Sequence, residues 1–217
     1  MADIKIKVDF DKVQQQLIGS IILDPQFKHT DWNREDYSVE LEALRKHIRD
    51  HYRTQQHGKC AYCKKDISVT SALNCHVEHI APKSKHEKFI FDPKNLCIAC
   101  ADCNVIKKEQ DTISPLKNGK KRTRYPSSAN AFKIIHPHFD NWDDHLKIFG
   151  GRWYIDKLPK GNFTIGVCKL NQRSIKYGID EPNEMVDLAI ELTKAKREKN
   201  TILIKILKNE INRVIDE

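Results

Sequence analysis

No stretch of 18 or more apolar residues occurs in this 217-residue sequence, so no membrane-spanning helix is encoded. Residues 1–30 interleave charged and apolar side chains instead of grouping them as a secretory leader does. A cytoplasmic protein without membrane attachment is the expectation. Glycine and proline are scarce, eight of each, which excludes a collagen-like chain. The 39% hydrophobic and 31% charged residues suit a globular chain and exclude broad disorder. No internal repeat is present. The pattern GxxxxGK[ST] is also missing, so any control by a nucleoside triphosphate must come through another protein.

What is present is positive charge, unevenly placed. The formal net charge is +8. Residues 1–59 hold 10 Lys/Arg against 10 Asp/Glu, and residues 171–217 hold 9 against 9. Residues 60–125 hold 13 against 7 and residues 126–170 hold 6 against 4, so the whole excess lies in the middle. A basic middle between neutral flanks nominates that region for a polyanion, with a solvated lysine surface as the alternative.

Seven cysteines, an odd number, argue against a disulfide framework. Four of them form two CxxC pairs, Cys60–Cys63 and Cys100–Cys103. Each pair can form a knuckle, and two knuckles complete a tetrahedral site suited to structural zinc. A redox CxxC needs only one pair. Cys75, Cys97 and Cys168 remain as buried small hydrophobes.

Along the chain, Ile4, Ile6, Val8 and Phe10 alternate with polar residues and predict a short strand. Residues 36–57 read as a helix with Leu41, Leu44, Ile48 and Tyr52 on one stripe and Gly58 closing it. Short β-like runs lie around Cys75–Ile80 and Leu96–Ala99, joined by a polar loop from Pro82 to Asn95. A helix from Asp102 to about Gln110 follows. Residues 114–128 read as a loop containing Lys120-Lys121-Arg122-Thr123-Arg124, either a phosphate-binding arm or a solvated linker. Trp153–Ile155 and Phe163–Ile165 read as a hairpin around residues 159–162. Two helices end the sequence, one from Pro182 and one over about 200–215 with Leu203, Leu207, Ile211 and Val214 on one face. The expected fold class is α+β, organised as a helical segment 1–58, a zinc-bearing core 59–125 and a hairpin-plus-helices segment 126–217.

Chemistry concentrates between the knuckles, in Val77-Glu78-His79-Ile80-Ala81-Pro82-Lys83. Glu78 offers a hard oxygen ligand, and His79 can act as a general base near neutral pH. The side-chain oxygen of Asn104, one residue past Cys103, can join Glu78 at a second metal. Lys83, Lys85, Lys107 and Lys108 can grip phosphates without reading sequence, or be ordinary solvated lysines. Lys83 and Lys107 are the strongest candidates for substrate binding.

Taken together, Cys60-x-x-Cys63, Val77-Glu78-His79-Ile80-x-Pro82-Lys83, Asn95-Leu96 and Cys100-x-x-Cys103-Asn104-x-x-Lys107 resemble the HNH endonuclease motif with its zinc knuckles. The resemblance implies a ββα-metal core, with His79 as the general base and Glu78 and Asn104 holding one Mg²⁺-like ion. Asn95 would brace the loop and orient His79, and the Cys₄ zinc would be structural. Asn stands at the last motif position, where His is the alternative, which leaves the catalytic metal open. His136-Pro137-His138-Phe139-Asp140-Asn141-Trp142-x-x-His145 and Leu170-Asn171-x-x-Ser174 resemble HNH proteins paired with an ATPase. The nearest pattern is the PtuB nuclease subunit of Septu-type and retron-associated anti-phage systems. That resemblance implies a PtuA-like ATPase partner, with or without a retron, although His136, His138 and His145 also read as turn and capping residues. The activity expected is phosphodiester hydrolysis in DNA or RNA. The rivals are a non-catalytic zinc module that binds nucleic acid or protein, and a redox protein. Glu78, His79, Asn95 and Asn104 together argue against both.

Overall fold

The computed structural model describes residues 2–116, 119–120, 122–149, 151–177 and 184–216. Helix α1 (Lys12–Ile22) starts with a capping box. The Asp11 carboxylate accepts from the Gln14 N–H at 2.8 Å, and the Gln14 side chain accepts from the Asp11 N–H at 3.2 Å. In α2 (Ser38–Gln55) the predicted stripe of Leu41, Leu44, Ile48 and Tyr52 is fully buried. The helix stops where His57 and Gly58 turn to φ of 52° and 68°, a conformation that glycine adopts without strain.

The predicted strand at Ile4–Phe10 does not form. Ile4, Val8 and Phe10 are buried, but Ile6, which the alternation places on the same face, is 62% exposed, and among the described residues no strand lies alongside. The backbone instead bonds side chains of α2: Ile6 N–H to Gln55 Oε1 at 3.0 Å and Val8 N–H to Tyr52 Oη at 3.1 Å.

Strands β1 (His76–His79) and β2 (Leu96–Ala99) pair antiparallel, with Glu78 opposite Cys97 and His79 opposite Leu96. Helix α3 (Ala101–Lys107) follows directly. Gln56, just past α2, ties this unit to the helix. Its amide nitrogen donates to the carbonyls of Lys59 and Ile98, both at 2.9 Å, and its oxygen accepts from Ile98 N–H at 2.8 Å. A side chain thereby substitutes for a neighbouring strand at the edge of β2.

The C-terminal region departs from its prediction. The hairpin is β3 (Leu146–Phe149) with β4 (Trp153–Asp156), and Phe149 pairs with Trp153 across a turn containing Gly151 at φ 67°. Phe163–Ile165, predicted as the second strand, belongs to helix α4 (Pro159–Cys168). Pro159 occupies the first helical turn, where its missing N–H costs nothing. Gly161 lets the helix settle onto the hairpin, because a Cβ there would overlap the His145 carbonyl. Asn171 then clips the chain back, accepting from Tyr154 N–H at 2.8 Å and donating to the Tyr154 carbonyl at 2.9 Å. Helix α5 (Gln172–Tyr177) follows. Helix α6 (Glu184–Arg197) and α7 (Thr201–Asp216) form the predicted helical pair; the predicted start at Pro182 lies outside the described residues.

One hydrophobic cluster draws on Ile4, Leu41, Leu96, Ile134, Trp142 and Tyr154, and so joins all three stretches of the chain. A second, around Leu192, Ala195, Leu207 and Ile211, covers Phe149 and Ile155 of the hairpin. No described helix is long and apolar enough to cross a membrane.

Candidate active site

The two CxxC knuckles meet. The sulfurs of Cys60, Cys63, Cys100 and Cys103 lie within 4.8 Å of one another, and Cys63 Sγ is 3.7 Å from Cys100 Sγ. Zn–S bonds of about 2.3 Å place tetrahedron corners about 3.8 Å apart, so the four thiols fit a zinc ion closely. Hydrogen bonds from Cys103, Cys60 and Cys63 drive the Cys100 thiol strongly down, the response a cation completes. The knuckle is bolted to the sheet by Ala61 N–H on the Ile98 carbonyl at 3.1 Å. It is bolted to the C-terminal region by Trp142 Nε1 on the Tyr62 carbonyl (2.9 Å) and Tyr154 Oη on the Cys63 carbonyl (2.6 Å). Cys75, Cys97 and Cys168 are buried and free of disulfides, as expected.

Beside the zinc-type site opens a cleft of about 990 Å³ whose lining includes Glu78, His79, Lys83 and Asn104. Three separate sequence positions therefore converge: the end of β1, the loop after it and the second turn of α3. His79 is 7% exposed. Its Nε2 lies 3.1 Å from the Ile90 carbonyl, which can only accept, so Nε2 carries the proton and Nδ1 keeps its lone pair. Burial, followed by the Lys83 charge, pushes the imidazole down to about 3, and the ring is neutral at physiological pH. Trp32 meets it edge-on at 4.6 Å between centroids.

Asn95 is fully buried. Its Oδ1 accepts from Ala81 N–H at 2.7 Å, and its Nδ2 donates to the carbonyls of Phe89 at 2.9 Å and Ala81 at 3.2 Å. It pins the loop on both sides of His79's acceptor and does not touch the ring. Asn104, on α3, makes no side-chain hydrogen bond among the described residues, and its amide oxygen is available to the cleft. Lys83 is half-buried, and burial with Arg45 nearby lowers its ammonium.

Lys107 corrects the sequence reading. It is fully buried and does not line the cleft. Its Nζ lies 2.6 Å from Glu78 Oε1 and donates to the His79 carbonyl at 2.9 Å. With no exposed surface, it is not placed to contact a phosphate. Tyr62 Oη adds a longer contact of 3.3 Å to the same Glu78 oxygen. Burial still raises the Glu78 carboxyl despite the adjacent ammonium, a balance that favours a cation on its second oxygen.

Sequence reasoning missed Arg45 and Arg49, which line the cleft from α2. Each follows a stripe residue, Leu44 or Ile48, by one position, and that flank of the helix was the available signal. Arg45 Nη1 donates to the Trp32 carbonyl at 2.8 Å, and Arg49 Nε donates to the Cys75 carbonyl at 3.1 Å. Glu42 pairs with both, at 2.9 Å to Arg45 Nη2 and 3.6 Å to Arg49 Nη2, so the two guanidiniums share one carboxylate and leave one net positive charge at the cleft.

Residues 60–110 match the family model for HNH endonuclease. No curated protein matches the chain. An HNH domain over roughly a quarter of the chain implies a nucleic-acid substrate and suggests nuclease activity with metal binding.

Proposed function

We propose that the chain is a metal-dependent HNH endonuclease that hydrolyses phosphodiester bonds, built as a ββα-metal core from β1, β2 and α3. The observation that carries this reading is His79 in the cleft wall, its Nε2 proton committed to the Ile90 carbonyl and its Nδ1 free, beside Glu78 and Asn104. Carboxylate and amide oxygens are donors for a hard divalent cation such as Mg²⁺. Bound there, such an ion neutralises charge developing on the scissile phosphate and the leaving oxygen.

The chain's own residues do the rest. His79 Nδ1 takes the proton of the attacking water. Asn95 holds Ala81 and Phe89, and with them the carbonyl that fixes the His79 tautomer. Lys83, Arg45 and Arg49 favour the approach of a polyanion. Lys107 acts as a positioning residue for Glu78 and His79, not as a phosphate ligand. Zinc in the four cysteines is structural, because four thiolates leave no open coordination position for water.

Incubation with plasmid DNA and with tRNA, with and without added Mg²⁺, tests the reading. Mg²⁺-dependent strand scission that disappears in His79→Ala is the expected result. Binding of either nucleic acid without scission would favour a non-catalytic zinc module instead. Service as the effector of an anti-phage complex with an ATPase subunit is a further proposal, supported by the resemblance of residues 136–145 and 170–174 alone. Co-expression with such an ATPase, followed by pull-down, tests it; a chain that stays alone and cuts freely would reject it.

A further inference from the structure

A second cleft, of about 690 Å³, adjoins the first, and Ser84 and Lys85 line both. Its walls come from residues 84–89 and from the basic loop after Asp111. Lys85, Lys88, Lys120 and Arg122 contribute four permanent positive charges. The two acids that line it are engaged: Asp111 lies 3.0 Å from His86 Nε2, and Glu87 lies 3.3 Å from His29 Nδ1.

Two polar atoms here are buried with no hydrogen-bond partner among the described residues, Ser84 Oγ at the junction of the clefts and Arg122 Nε in the far wall. The remaining recorded bond of that guanidinium, Nη2 to the Ser114 carbonyl, is at the outer limit of 3.5 Å. Unsatisfied buried donors cost stability and mark places where a bonding partner is expected. His86 lies nearly parallel to Phe89, with ring planes 12° apart and centroids at 5.8 Å, a flat face of the kind on which bases stack.

We propose that the second cleft binds the nucleic-acid strand beyond the cut site through its phosphates, so the substrate is a polynucleotide long enough to occupy both clefts. The inference rests on the nuclease reading for the placement of the cut in the first cleft. A small phosphorylated ligand is the weaker fit, because the charges are strung along an open wall continuous with that cleft and do not converge on one point.

The test is fluorescence anisotropy with the full chain, in a His79→Ala background without added divalent metal, across a salt series. The probes are a labelled single-stranded 20-mer and a labelled trinucleotide. Removing two phosphate contacts with Lys88→Ala and Arg122→Ala together should lower the salt slope for the 20-mer by about 1.4. Trinucleotide binding should not change, and Lys205→Ala with Lys208→Ala on α7, an equal change in net charge, should leave the 20-mer slope intact. Lys88→Ala alone, at an exposed residue without a recorded side-chain hydrogen bond, should lower the slope by about 0.7 even if the double variant folds poorly. An unchanged slope in a folded Lys88→Ala protein, or an equal loss in the α7 control, overturns the proposal. Wild-type cleavage of the same 20-mer with Mg²⁺ separates the two readings. Cleavage with no slope change rejects the second cleft alone, and a slope change without cleavage rejects only the nuclease.

Discussion

Two buried polar clusters use the same residue types and come to opposite ends. In one, Lys107 Nζ lies 2.6 Å from Glu78 Oε1 and 2.9 Å from the His79 carbonyl, beside a cleft that Glu78 and His79 line. In the other, Asp140 accepts from Lys160 Nζ at 2.7 Å and from His136 N–H at 2.8 Å, with His145 Nε2 at 3.4 Å. His136 is wholly enclosed: Nδ1 accepts from His138 N–H at 3.2 Å, so Nε2 carries the proton and donates to Tyr125 Oη at 2.8 Å. Both its nitrogens are used, whereas His79 has one left over. His138 Nε2 is likewise spent on the Leu96 carbonyl at 2.8 Å. The Asp140 cluster is a brace around His136, both of whose nitrogens are consumed, although His145 Nδ1 is buried with no partner among the described residues. The Glu78 cluster is a candidate site because His79 keeps one nitrogen free in the wall of a cleft.

The largest expected effect removes the frame that both clusters lean on. Cys100→Ser should abolish stoichiometric zinc and unfold the chain, since structural zinc contributes roughly 10–16 kcal/mol of apparent folding free energy. Metal analysis and circular dichroism check this, and a variant that keeps its zinc and its Tm would reject the Cys₄ site. Next come the two lysines. Lys107→Ala strands a buried carboxylate and should cost about 3–5 kcal/mol. Lys160→Ala, at a partly exposed side chain, should cost about 1–3 kcal/mol. Urea unfolding decides, and a larger loss at Lys160 would reverse the ranking of the two clusters.

The histidines sharpen the contrast by function. His79→Ala should reduce cleavage about 10²–10⁴-fold while folding and zinc content persist. His136→Ala should do the reverse, losing about 2–4 kcal/mol of stability with the turnover of the folded fraction intact. Cleavage rates corrected for folded protein separate these outcomes.

The last effect is read per pH unit, as a slope to which the braced histidines contribute beside His79. Burial pushes His138 down to about 4 and holds His136 well below its usual range. An unfolded histidine titrates near 6.5, so below that pH the unfolded chain binds protons the folded one refuses. Stability should therefore be full above about pH 6.5 and fall as pH drops towards 4, by at most about 1.4 kcal/mol per unit per histidine. His138→Gln should flatten the slope in urea titrations, and an unaltered slope would show that His138 is not its source.

Much of the candidate site was legible because the signals are local. CxxC spacing, the Glu78-His79 pair and Asn104 beside a knuckle each arise within a few residues, and the α2 stripe is a simple 3.6-residue period. The misread elements lacked such signals. A β-like composition at Phe163–Ile165 could not reveal that Gly161 packs on the His145 carbonyl, and that contact favours a helix there. Charge counted in windows placed no net positive charge in the N-terminal stretch, yet Arg45 and Arg49 reach the cleft from it.

The sequence by itself determined the two CxxC pairs whose sulfurs meet, the Glu78-His79 pair that lines the cleft, and the buried face of α2, because motif spacing and helical periodicity act over short spans. Only the tertiary structure decided which lysine meets solvent and which histidine has a free nitrogen. Lys107 is buried by an acid and a carbonyl 29 and 28 positions earlier in the chain, and His136 is enclosed by Tyr125, Asp140 and Lys160 together. Burial and hydrogen-bond satisfaction are properties of what packs around a group, and residues distant in sequence supply that packing.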